Sequence, residues 1–279
     1  MTEGALACGY HGWRFDGSGA CVHIPSLVRG QRIAKGCEVP AFKTVEQDGY
    51  VWIWVGETDP GSSLPARVPD FDRLRWLQGS VEMKCDALKA IQNNLDWCHP
   101  YFAHPFVHRQ YVETQKHGFR EQQYEMRVSE RGLELFAPVT QSDAEPAPTF
   151  PTVRLSYELP SRVTVDFYSP RKKLTRIVMH AVPTGPNTCR LEWLFGPNPI
   201  PLLGGRVAWS SREPKIIRQD RVLIESSQPW YDRDQSFESS VEADASTLLL
   251  RRIHDMAIAG TWPEKWSSLP RRRLVDVRA

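Results

Sequence analysis

Four stretches of the chain, 121–139, 151–168, 174–182 and 188–196, alternate apolar and polar side chains. A period of two lines one face of a strand with apolar groups and leaves the other polar, so each stretch buries one face. Strands of this kind pair antiparallel, and their shared apolar face needs a covering layer. Helical spacing supplies candidates for that layer. Leu88, Ile91, Leu95 and Cys98 recur at intervals of three and four within 86–99. A second helix is predicted to start after Ser211, with Pro214 in its first turn, and to run through Glu225; a third covers 241–258. The Pro-rich segments 144–151 and 196–205 read as long loops. The expectation is an α+β arrangement, with helices packed on one side of an antiparallel sheet.

The first 57 residues have a different texture, of short strands and turns. Gly17-Ser18-Gly19 marks a tight turn, Ile24-Pro25 ends a run, and Gly49 to Val55 is a strand rich in aromatic and β-branched residues. The turn-rich stretch Thr58 to Pro65 is the natural linker. This predicts a small β-domain over 1–64 and a larger domain over 65–279. The 35 basic and 33 acidic side chains leave a net charge of +2, which is no footprint for nucleic acid. The longest apolar runs, such as Val51 to Val55, fall far short of the roughly 20 residues needed to span a bilayer. The opening MTEGALACGYHGW lacks the basic and apolar regions of a secretory signal, so no membrane association and a cytoplasmic location are expected.

With no secretory signal, the six cysteines read as reduced thiols, and Cys–His proximity reads as metal chemistry. Cys37, Cys85 and Cys189 have no second ligand beside them in sequence and read as buried apolar thiols. The segment Asn93 to His104 contains Asp96, His99 and His104 in the pattern Asp-x-x-His-x-x-x-x-His. On a helix Asp96 and His99 share a face. Pro100 disfavours α geometry at His99 and bends the chain, which can bring His104 beside it. Two imidazoles with a carboxylate suit divalent iron, and also zinc. Asp220 is the candidate third ligand. It shares a helical stripe with Ile216, Leu223 and Ile224 and so faces the core, where an unpaired carboxylate is costly unless a metal compensates it. Glu225, Asp232 and Asp234 read as solvated, and His108 and His117 lie outside the pattern.

Cys8-Gly9-Tyr10-His11-Gly12-Trp13-Arg14-Phe15-Asp16, followed by Gly17 and Gly19, resembles the second cluster-binding loop of the Rieske non-haem iron ring-hydroxylating oxygenases. Cys8 and His11 match that loop's ligands to a [2Fe–2S] cluster, whose mixed thiolate and imidazole ligation raises its potential. The family's other pair, a Cys-x-His, precedes this loop, whereas few residues precede Cys8. The N-terminal part of a Rieske domain is therefore expected to be missing. Cys21-Val22-His23 lies on the wrong side and reads as a strand running away from the cluster.

The string Asn93-x-x-Asp96-x-x-His99, the downstream Asp220, and Val241 to Ala245 resemble the catalytic domain of the same family, closest to its demethylase and monooxygenase branch of α-subunits. The resemblance implies a partial Rieske domain followed by a helix-grip catalytic domain. It implies mononuclear Fe(II) on His99, His104 and Asp220, with Asp96 bridging His99 to His11 of a neighbouring subunit in a homotrimer. It implies electrons from a ferredoxin or flavin reductase, O2 as oxidant, and hydroxylation or O-/N-demethylation of an apolar, aromatic organic substrate. Phe102, Phe106, Phe167, Trp193 and Phe195 are the expected pocket aromatics. Arg171-Lys172-Lys173 reads as a solvated turn, or as a contact for a substrate carboxylate or an acidic ferredoxin face. The rival readings are a cluster-less paralogue, a helix-grip protein binding a hydrophobic ligand, and a zinc hydrolase.

Overall fold

The computed structural model describes residues 4–56, 59–62, 64–104, 121–137, 152–168, 174–196, 214–231 and 238–278. The chain divides into two compact units, Met1–Phe71 and Asp72–Ala279. The division falls past the turn-rich stretch that suggested residue 64.

The first unit is all β. Strands β1 (Leu6–Ala7), β2 (Arg14–Phe15) and β3 (Cys21–His23) form one antiparallel sheet, and β4 (Lys43–Gln47) and β5 (Tyr50–Trp54) form a hairpin. Asp48 and Gly49 link the hairpin with φ of 55° and 77°. Two positive φ values give the turn a twist that matches the flanking strands, which favours an Asp-Gly pair. The buried Asp48 carboxylate then accepts the Val68 N–H at 2.6 Å and the Arg67 Nε–H at 2.9 Å.

The second unit is built on one eight-stranded antiparallel sheet. Its strands are β6 (Leu77–Met83), β7 (Glu121–Ser129), β8 (Gly132–Ala137), β9 (Thr152–Glu158), β10 (Arg162–Tyr168), β11 (Leu174–Gly185), β12 (Thr188–Gly196) and β13 (Arg272–Arg278). The spatial order is β13-β7-β8-β9-β10-β11-β12-β6. The alternating stretches form the six central strands. Both edge strands were missed in the sequence.

Alternation separates the sheet into two chemically different faces. Met126, Leu133, Leu135, Leu155, Val163, Met179 and Leu191 turn inward and are buried. Against them pack α1 (Ala87–Leu95), α3 (Lys215–Ser227) and α4 (Ala245–Ile258); short helices α2 (Pro100–Ala103) and α5 (Trp262–Lys265) complete the layer. Leu88 and Leu95 of α1 and Leu250 and Ile253 of α4 are at most 2% exposed. Removing one such leucine to alanine costs about 2–5 kcal/mol. The opposite row carries charge: Arg154 pairs with Glu134, Arg162 with Glu158, and Arg127 with Glu125. Asp166 accepts both Nε–H and Nη2–H of Arg176, at 2.6 and 2.9 Å, and both residues are buried.

Helix α1 stops four residues earlier than its spacing suggested. Asp86 caps its start by accepting the Leu88 N–H at 2.8 Å. Asp96 takes extended geometry at its end, with ψ of 119°. The orphan carbonyl of Leu95 is satisfied by the buried Ser246 hydroxyl of α4 at 3.1 Å, so the break is held by tertiary contact. Among the described residues no helix is long and apolar enough to cross a membrane.

Breaking a buried ion pair from one side leaves an uncompensated charge, which costs about 3–5 kcal/mol. Arg176→Met is expected to lower unfolding stability by that order in urea titration. Adding Asp166→Leu should recover most of the loss.

Candidate metal centre

The break after α1 creates the site. Beyond Asp96 the chain turns through Cys98, and the Asp96 carboxylate accepts the main-chain N–H of Cys98 at 2.7 Å and of His99 at 3.3 Å. His99 then takes α geometry, with φ −58° and ψ −36°, against the expectation raised by the following proline. Pro100 sits in the first turn of α2, where its missing N–H costs nothing. His104 ends that single turn, its N–H bonded to the Pro100 carbonyl at 3.2 Å. The two histidines thus flank one helical turn and project together, with ring centroids 5.4 Å apart.

Asp220 meets them from α3. It lies on a buried stripe with Ile217 and Ile224, whereas Leu223, expected on the same stripe, is exposed. Asp220 Oδ1 is 3.1 Å from His104 Nε2 and 3.6 Å from His99 Nε2. Among the described residues this is the set of three whose ligand atoms all lie within 4.8 Å of one another.

The outer nitrogens of the two rings decide what the inner ones present. His99 Nδ1 lies 3.0 Å from the main-chain carbonyl of Asp96, and His104 Nδ1 lies 3.2 Å from the Gln219 amide oxygen. Both partners are acceptors, so each Nδ1 presents a hydrogen to its partner, and a ring with that single hydrogen turns its Nε2 lone pair inward. Two lone pairs and a carboxylate oxygen then converge, and Asp220 Oδ1 is buried without a hydrogen-bond donor. A cation between them removes that repulsion. Without one, a proton serves: burial opposes charge on His104, but the hydrogen bond and charge of Asp220, aided by Gln219, hold its pKa above the usual imidazole range.

The resemblance gave Asp96 a carboxylate contact to the His99 ring. In this chain the ring is held by the Asp96 carbonyl, and the carboxylate braces the loop. Gln219 went unnoticed in the sequence because a glutamine beside a ligand carries no distinguishing pattern. Glu225, expected to be solvated, accepts the Lys84 N–H at 2.9 Å.

A cavity of about 130 Å³ opens over these three side chains, between the sheet and helices α1 and α3. Val165, Phe167, Ile177, Met179, Trp193 and Phe195 are among its walls. Phe102 points elsewhere and is 63% exposed. Gly79 of β6 makes room for the Trp193 indole, since a Cβ there would come within 2.2 Å of the ring. Phe106, His108, His117, Arg171 to Lys173, Asp232 and Asp234 lie outside the described residues.

In the first unit, Cys8 and His11 sit on a tight loop closed by Cys8 N–H to the Trp13 carbonyl at 2.8 Å and Gly12 N–H to the Cys8 carbonyl at 2.9 Å. The exposed Cys8 thiol is held below its ordinary pKa by main-chain N–H groups of Tyr10 and His11, as suits a thiolate ligand. Among the described residues no third ligand joins this pair, and Cys21 and His23 do not.

Groups that orient a ligand histidine typically carry a 10–100-fold effect on metal affinity. Gln219→Leu is expected to weaken Fe(II) binding by about that factor. Asp220→Asn should weaken it more, both measured by competition with a chromophoric chelator.

Comparison with known proteins agrees with this architecture. Residues 83–260 match the vanillate O-demethylase oxygenase C-terminal domain, and residues 1–43 match the Rieske [2Fe–2S] domain. The oxygenase component of dicamba O-demethylase from Stenotrophomonas maltophilia is 36% identical over 109 residues, which are 37% of this chain and 31% of that protein. Chlorophyllide a oxygenase from Chlamydomonas reinhardtii is 34% identical over 110 residues, 37% of this chain and 16% of that protein. The matched stretch thus spans less than a third of these relatives. The fold resembles that of NdmA from Pseudomonas putida CBB5 with caffeine, at a TM-score of 0.72, 19% identity, 96% of this chain and 77% of that one. It also resembles dicamba monooxygenase bound to dicamba, at 0.70, 19% identity, 93% and 82%. A Rieske-type loop, a large antiparallel sheet under helices and the domain match over most of the chain lead to one assignment: the chain belongs to the Rieske non-haem iron oxygenases, among the vanillate O-demethylase-type oxygenase components.

Proposed function

We propose that this chain is the terminal oxygenase component of an O2-dependent system that hydroxylates, or O- or N-demethylates, a small apolar aromatic compound. The observation that carries the reading is the inward turn of two tautomer-fixed Nε2 lone pairs onto a buried carboxylate at the base of an apolar cavity. His99, His104 and Asp220 would hold the mononuclear iron, which when bound supplies redox chemistry toward O2. The cavity would bind the ring and exclude water. An apolar cavity of about 150 Å³ accommodates benzene, so about 130 Å³ is of the order that one aromatic ring fills. The dicamba and caffeine found with the structural neighbours support a small organic substrate.

Cys8 and His11 would supply two ligands of a [2Fe–2S] cluster, which when bound handles single electrons delivered by a ferredoxin or flavin reductase. In a homotrimer, Asp96 would connect a neighbouring subunit's His11 to its own His99. Its carbonyl already orients the His99 ring, so its carboxylate is available for that connection while bracing the loop.

The Fe(II)-loaded chain, given a reductant, O2 and a panel of methoxy- and N-methyl-arenes, is expected to release formaldehyde or a hydroxylated ring. It is also expected to lose that activity in Asp220→Asn. Absence of Fe(II) binding in titration, together with no product from any arene, would overturn the reading. Asp96→Asn keeps an acceptor for the loop amides but removes the charge. It should retain iron while product formation driven by a protein electron donor falls about 10–100-fold. Unchanged turnover would remove Asp96 from the electron path.

A further inference from the structure

We propose that Cys85 and Cys189 form an oxidative modification site, a dithiol that hydrogen peroxide converts to a reversible disulfide joining β12 to the entry of α1. The two residues stand 104 positions apart in sequence, yet their Sγ atoms are 3.8 Å apart and both side chains are fully buried. A disulfide has sulfurs about 2.05 Å apart, so closure needs a shift of less than about 2 Å.

The surroundings hold the two thiols in register. Cys85 lies in a bend between Met83, which ends β6, and Asp86, which caps α1. The neighbours of Cys85 are tied to the rest of the fold by side chains. Lys84 N–H donates to Glu225 and Asp86 N–H to Gln228, each at 2.9 Å. Cys189 is fixed in the ladder opposite Met83. Cys189 is held by the ladder and Cys85 by a bend whose two flanking residues are fixed, so the sulfurs are kept facing each other and the remaining approach falls to the two side chains.

The pair also has a built-in division of roles. Either S–H can donate across this contact; with Cys85 donating, the hydrogen bond holds the Cys189 thiol down and, together with burial, pushes that of Cys85 up. Cys189 is then the nucleophile. Its thiolate attacks one peroxide oxygen, the O–O bond breaks, and the sulfenic acid and hydroxide form. The hydroxide takes up the proton that the Cys189 thiol released and becomes water; the Cys85 sulfur then displaces the sulfenic hydroxyl, which departs with the Cys85 proton as a second water. Two thiols lose two electrons and two hydrogens, and one peroxide becomes two waters.

The position ties this chemistry to the cavity. On β12 the inward row runs Cys189, Leu191, Trp193, Phe195, and the last three line the cavity, as does Met83 opposite Cys189. A link at the head of this row would pin the start of α1, the helix that leads to His99. The cross-link does not depend on the proposed oxygenase activity. Only a source of peroxide, two-electron reduction of O2 without substrate oxidation, rests on that reading.

The test uses the full chain as purified, treated with a few equivalents of hydrogen peroxide and quenched with catalase. The chain is then denatured in N-ethylmaleimide and mapped by mass spectrometry without reductant. A Cys85–Cys189 peptide, two hydrogens lighter than its parts and abolished by dithiothreitol, is the expected product. In Cys85→Ala, Cys189 should instead proceed to sulfinic acid. Recovery of both residues as maleimide adducts overturns the proposal. Sulfinic acid at Cys189 of the unaltered chain with no linked peptide overturns it as well. Both readouts are independent of catalytic activity, so an inactive chain leaves the answer legible.

Discussion

Like-charged lone pairs do not gather in an apolar environment without compensation, and the second unit is organised around one such gathering. Asp220 is fixed by α3, His99 and His104 by the turn after α1, and the outer nitrogens of both rings are already committed to acceptors. The repulsion at the centre is thus imposed by the scaffold and cannot be relieved by rotating a ring. A site of this kind is destabilised when empty and unprotonated, and the rest of the fold supplies the energy that keeps it assembled.

That energy comes from how the sheet divides its faces. The inward row buries large aliphatic and aromatic groups against three helices, and it also provides the walls of the cavity. The outward row is braced by cross-strand ion pairs, of which Asp166–Arg176 is the most deeply buried. The same strands therefore support an apolar cavity wall and a rigid ionic back. Rigid backing matters because ligand atoms must stay within tenths of an ångström of a working geometry.

The central strands were legible because period-two alternation is strong where one face is buried. The edge strands were not. β6 contains Gly79 and scattered polar residues, and β13 is flanked by arginines, so neither reads as half-buried. His99, His104 and Asp220 could be nominated because carboxylates and imidazoles on apolar faces demand an explanation. Their placement depended on a helix break that the periodicity of Leu88, Ile91 and Leu95 concealed, since Cys98 continues the pattern past the true end. The contacts of the His99 and His104 rings escaped for a different reason. One is a main-chain carbonyl, which every residue has, and the other an ordinary amide. Cys85 and Cys189 read as inert thiols because their proximity is a product of the pairing between β12 and β6, visible only in the register.

Gly79 gives the edge strand an influence out of proportion to its size. The indole of Trp193 reaches its place in the cavity wall because the neighbouring strand offers a hydrogen where any other residue would place a carbon. The room in this cavity is therefore governed partly from the rim of the sheet, by an atom that is missing. A methyl group at that position would force the ring to move. The cavity would then be reshaped with His99, His104, Asp220 and every residue of its wall unchanged in sequence.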